Sequence, residues 1–186
     1  MKVYGNAYIA NGDVYAPVGF GISGNARIFG SAKVYAQSHV YGNAMVFGNA
    51  TVFTASISNQ AKVSGNAGLT NATVNGRAIV KGDAVIHAGS IGEDAQVYGS
   101  AYIHDGTPVI KGSAQVFGGA NVEGTSLIYG QAQVYGQAHI YGKVKEIAQV
   151  YGTAVVQSTG EVAGNAIIRG TAVVTTYVDG GVVEAK

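Results

Sequence analysis

The chain has 186 residues, only 11% of them charged, and a formal net charge of +1. That balance gives no electrostatic footing for a nucleic-acid partner or an anionic membrane surface. There is no cysteine, which excludes disulfides and thiolate metal sites and fits a cytoplasmic chain.

In chain order, a repeat begins at Val3 with no apolar leader, and no run of about 18 apolar residues follows anywhere. Neither a cleaved signal nor a membrane-spanning helix is expected. The pattern blurs over 10–21. Gly19-Phe-Gly-Ile-Ser-Gly24 spells the dinucleotide fingerprint. That motif needs a strand before it and a helix after it to present amides to a pyrophosphate, and here the repeat resumes at once.

From residue 22 an aliphatic side chain recurs at 28, 34, 40, 46, 52, 57, 63, 69, 74, 80, 86, 91, 97, 103, 110, 116, 122, 128, 134 and 140. A small residue usually stands two places earlier, as at Ala44, Ala50, Ala61, Ala67, Ala78, Ala95 and Ala132. Small, outward, aliphatic is a three-residue strand of period 2 with two side chains on one core face. The intervening Tyr-Gly-Asn supplies a corner, because glycine accepts φ > 0 freely and asparagine tolerates it. So short a strand cannot bury its face alone, and a short fixed repeat predicts stacked coils. Asn49-Ala-Thr51 and Asn71-Ala-Thr73 match the glycosylation sequon but read as repeat residues.

Taken by threes, 40, 57, 74 and 91 form a first face, 46, 63, 80 and 97 a second, and 52, 69, 86 and 103 a third. All three columns advance by 17 residues, and the five-residue step always falls between the third face and the first. Register blurs again at 141–149. It resumes at 150, 156, 162, 168 and 174 and fades after 175, although the tail to Lys186 keeps a strand-like pattern. One domain over 1–186, of about ten coils, is expected.

Equivalent positions on successive coils lie one rung apart, so columns can be read as in a sheet. Just after the aliphatic residue of the third face the column runs Tyr35, Phe53, Thr70, His87, His104, Glu123, Tyr141. Its catalytic candidates are His87, His104 and Glu123. Paired imidazoles can bind zinc or serve acid–base chemistry; the plainer alternative is two solvated corner histidines. Asp105 either orients His104 or belongs to the turn Asp105-Gly-Thr-Pro108, and His39 and His139 read as surface residues. On the second face the same column carries Phe29, Phe47, Ser64, Lys81 and then Tyr98, Phe117, Tyr135 and Tyr151. These four aromatics form an outward ladder that either binds a ligand, by stacking on sugars or on another subunit, or simply stiffens its corner. Beside it run Gln96, Gln115, Gln133 and Gln149, whose amides can bond along the axis. No metal site and no cofactor are assigned.

The hexapeptide pattern, with Gly-Asn-Ala at 5–7, 24–26, 42–44, 48–50, 65–67 and 164–166 and recurrent Tyr-Gly and Phe-Gly pairs, resembles the bacterial hexapeptide-repeat, or trimeric LpxA-like, superfamily. The resemblance covers essentially the whole chain. It implies an all-β fold, a single-stranded left-handed parallel β-helix of triangular section, in a trimer. Members are typically acyltransferases using acyl-CoA or acyl carrier protein, with a histidine base between subunits, which would make His87 or His104 the base here. The chain departs from them in having no long loop within 22–140 and no helical stripe after 175. Without walls there is little to exclude water or position a thioester. Gamma-class carbonic anhydrases share the helix but take zinc from three histidines, whereas His87 and His104 are one coil apart with no third nearby. An ice-binding face would need aligned threonines, and Thr51, Thr73 and Thr175 do not align. A DNA-mimicking pentapeptide helix is excluded by the six-residue step and the neutral charge. The reading that remains is a non-catalytic rod, a binding or assembly module whose partner is another protein or itself, as a homotrimer or end to end. Acyl transfer is the alternative.

Overall fold

The structure, a computed structural model, describes residues 2–10 and 21–186. Every regular element among them is a strand, most of only two or three residues. The strands form three parallel sheets of 11, 10 and 10, and each strand pairs with the one three elements later. Each coil thus gives one strand to each sheet. The result is a triangular parallel β-solenoid of about ten coils, rising ~4.8 Å per coil.

The expected columns are present. Val40, Ile57, Val74 and Ile91 are rung partners on the first face. So are Val46, Val63, Val80 and Val97 on the second, and Val52, Leu69, Ile86 and Ile103 on the third. The aliphatic residue and the alanine two before it point inward together, and Ala44, Val46, Ala50, Val52, Ala61 and Val63 are all fully buried. One continuous apolar core runs from Ala26 to Val174.

Each corner solves the backbone problem differently. Between the second and third faces stands a glycine column. At Gly99, with φ 73°, a Cβ would fall 2.9 Å from the Gly118 nitrogen and 3.0 Å from its oxygen one coil on. Between the first and second faces, Asn59, Glu93 and Glu146 take left-handed φ of 60°, 58° and 61° where neighbouring coils use glycine. The two glutamates do more than tolerate it. The Glu93 carboxylate accepts the backbone N–H of Gly112 at 3.0 Å, and Glu146 accepts that of Gly164 at 2.9 Å.

The third-to-first corner absorbs the length variation. Residues 141–149, where the repeat blurs, keep the register of the sheets: Val144 is buried and pairs with Ile128 and Val162. The step from Ile140 to Val144 is four residues, and the same shortening takes Val174 to Val178, rung partner of Val162. Val183 closes the register against Ile168. At two of the six-residue corners a buried serine stands where other coils have Ala55 or Ala72. Ser38 Oγ donates to the Tyr35 carbonyl at 2.7 Å and accepts the Ala55 N–H at 3.3 Å. Ser126 Oγ donates to the Glu123 and Ile140 carbonyls.

Gly19 and Phe20 of the fingerprint lie outside the described residues. Gly21–Ile22 is a strand followed by a turn and the strand Arg27–Ile28, so no helix N-terminus stands there to hold a pyrophosphate.

Candidate functional site

The histidine column lies along the edge where the third sheet meets its variable corner. His87 follows the buried Ile86 and is exposed; His104 follows Ile103, and its side chain is only 12% exposed. The two imidazoles do not converge. Tyr102, outward on the strand Tyr102–Gly106, sits between them: its ring stacks on His104 at 4.1 Å and meets His87 edge-on at 5.3 Å. Its hydroxyl is 3.1 Å from His87 Nδ1.

His104 is held instead by its own corner. The ladder to Asn121–Gly124 shifts register between His104 and Gly106, making Asp105 the extra residue, at φ 46°. That bulge turns the Asp105 carboxylate back to 2.8 Å from His104 Nδ1, while Nε2 lies 2.7 Å from Asn121 Oδ1. Glu123, rung partner of His104, bonds the Tyr141 hydroxyl. This bond, then burial, raises the Tyr141 phenol above its ordinary value. One donor atom each from His104, Asp105 and Glu123 lies within 4.8 Å of the others, the one such grouping among the described residues. A divalent cation would find a nitrogen and two carboxylates there. It would have to displace the His104–Asp105 bond, since these donors already serve one another.

The column reading finds Glu123 against His104 but misses Tyr102 and Asn121. Those two are rung partners in the next outward column, before the aliphatic residue. Reading both outward columns of the third face together would have placed them.

The aromatic ladder is continuous and flat. Successive centroid distances along Tyr98, Phe117, Tyr135 and Tyr151 are 4.8, 4.9 and 4.7 Å, with planes within 1°, 5° and 10° of parallel. A second stack joins Tyr4, Phe29 and Phe47 at 5.0 and 4.9 Å. Lys81 Nζ caps the Tyr98 ring at 5.2 Å, and at the far end Tyr151 bonds the Arg169 guanidinium, which Glu184 also holds. Burial raises the Tyr98 and Tyr135 phenols, and the neighbouring Tyr151 adds to the effect on Tyr135. The glutamine column serves this ladder: Tyr98 donates to Gln115 Oε1 at 3.2 Å and Tyr135 to Gln149 Oε1 at 3.4 Å. Since the rings cover one another's faces along the axis, the ladder presents a strip of ring edges and hydroxyls to the outside.

The same axial pairing recurs elsewhere. Asn49 donates to Asn66, and Asn66 to Asp83, at 3.0 and 2.8 Å. On the first face Lys145 pairs with Glu161 at 2.7 Å, which holds that carboxyl below its usual range. An open groove of about 390 Å³ runs along the third face between Tyr35, Phe53, Leu69 and His87. Another, of about 470 Å³, lies on the second face over Arg27, Met45, Lys62 and Ile79. Comparison with protein-family models, curated proteins and solved structures gives no match.

Proposed function

We propose that the chain is a non-catalytic solenoid, a rigid binding or assembly module of the left-handed hexapeptide-repeat class, whose partner is a protein or a further copy of itself. The observation that carries this reading is the recurrent axial pairing of outward side chains. Rings stack on rings, asparagines bond to asparagines, and the histidines are engaged by Tyr102, Asp105 and Asn121. Groups committed to their neighbours on the next rung stiffen a surface, and a stiff surface loses little freedom on docking.

A second reading, acyl transfer from acyl-CoA or acyl carrier protein with His87 or His104 as base, draws on the groove beside His87. Thioester consumption by the wild-type chain, set against His87→Ala and His104→Ala, separates the two. The module predicts equal background rates in all three. Transfer that disappears in either variant would make the chain an enzyme.

A further inference from the structure

The aromatic column of the second face is broken at one place. Tyr4, Phe29 and Phe47 stack on the first three rungs of that sheet, and Tyr98 begins the second stack on the sixth. Ser64 and Lys81 hold the same position on the fourth and fifth rungs, between them. Three rungs put Phe47 and Tyr98 about 14 Å apart, which is room for two more rings at the ladder's own spacing. Lys81 takes one of those places, since its Nζ lies 5.2 Å from the Tyr98 centroid. Ser64 does not take the other, because a hydroxymethyl group is far smaller than a ring.

The two sides of this break differ in chemistry. Its floor is a ring face: Phe47 stacks on Phe29 at 4.9 Å on one side, and among the described residues no ring covers the other. Phe47 and Ser64 are only half-buried, and Gly65 beside them is exposed, so solvent reaches the break from outside. Its roof is the Lys81 ammonium, which is exposed and in no ion pair among the described residues. Asp83, the acid nearest to it in sequence, is engaged at the next corner, where it accepts the Asn66 amide at 2.8 Å. A ring level with Ser64 would lie about 5 Å from the Phe47 ring and about 5 Å from the ammonium, within reach of stacking and of a cation–π contact.

We propose that the break at Ser64 is a binding slot for a small aromatic carboxylate, whose ring joins the ladder on Phe47 and whose negative group meets Lys81. A flat ring extends a column whose rungs are already in register. An unpaired ammonium favours an anion over a neutral or cationic ring of the same shape. The slot goes beyond the module reading, and neither depends on the other.

Ligand-observed NMR of the full chain with phenylacetate tests this. The expected result is a dissociation constant of about 1 mM or below, with the ligand's ring protons shifted upfield by the Phe47 ring. Cyclohexylacetate keeps the charge without the flat ring, and benzylamine keeps the ring with the opposite charge. Each should bind roughly fivefold or more weakly than phenylacetate. Phe47→Ala and Lys81→Gln should each weaken phenylacetate by a similar factor. Ser64→Tyr should abolish its binding and raise the melting temperature, because the added ring continues the stack. Circular dichroism reports whether each variant folds, and the comparison of the three probes on the wild-type chain stands without them. No phenylacetate binding at about 10 mM, equal binding of all three probes, or binding that survives Ser64→Tyr overturns the proposal. These failures leave the non-catalytic reading intact, because that reading falls only to histidine-dependent acyl transfer.

Discussion

At the residue scale, the corners decide what the chain tolerates. Gly99 sits at φ 73° with the next coil's backbone 2.9 Å from where a Cβ would be, while Gly68 has an ordinary φ and open space. Gly99→Ala should lose about 1–3 kcal/mol from strain alone. Gly68→Ala should be neutral or gain up to ~1 kcal/mol by restricting the unfolded chain. Thermal or urea unfolding of the pair reads the contrast. Ser38 is the sharper case, because alanine is the repeat's own choice at that position. Ser38→Ala removes the acceptor of the buried Ala55 N–H and the donor to the Tyr35 carbonyl. A loss of about 1–3 kcal/mol is expected. The sequence did not disclose this role, since Ser38 looks like a lapse in the pattern until the wider corner's carbonyls are seen. Tyr102 escaped for a related reason: a column read one position at a time does not show a ring that crosses into the next.

At the scale of the elements, the three faces were legible because burial repeats with a fixed period. The four-residue steps were not, since a rule tuned to five, six and seven reads Val144 as noise. The variation collects at the third-to-first corner in every coil but the last, where the step from Val178 to Val183 is five residues. The ladder was legible as a column of aromatic residues, but the direction of its faces was not. Tyr135→Ala removes two stacked contacts and should cost about 1–3 kcal/mol. Because Tyr98 and Tyr135 are raised, the fold favours their neutral phenols. That stabilisation is complete below the unfolded tyrosine value of about 10 and is lost as pH rises through the folded value. Alkaline titration of tyrosinate absorbance should show these two ionising late, and the chain's stability falling over the same window. With no tryptophan in the sequence, the optical signal belongs to tyrosine alone. Ionisation of all phenols at the ordinary pH would contradict the ladder's burial.

At the scale of the molecule, stability is a sum over coils and their interfaces. Deleting residues 64–80 removes one coil and joins Val63 to Lys81 in register, so a shorter, somewhat weaker rod should still fold. Deleting 64–69 alone moves every later hexad to the next face and brings the four- to seven-residue steps to glycine corners that cannot take them. That variant should unfold far more readily, or not fold.

In a three-sided rod residues one coil apart are neighbours, and the absence of native cysteine allows this to be tested by crosslinking. Gln115 and Gln133 are rung partners on the second face, about 4.8 Å apart and within disulfide range, whereas Asn121 lies only six residues from Gln115 but on another face. Gln115→Cys with Gln133→Cys should oxidise readily to an intramolecular disulfide, and Gln115→Cys with Asn121→Cys should not. The reverse result, closure of the near pair in sequence and not of the pair one coil apart, would contradict the account.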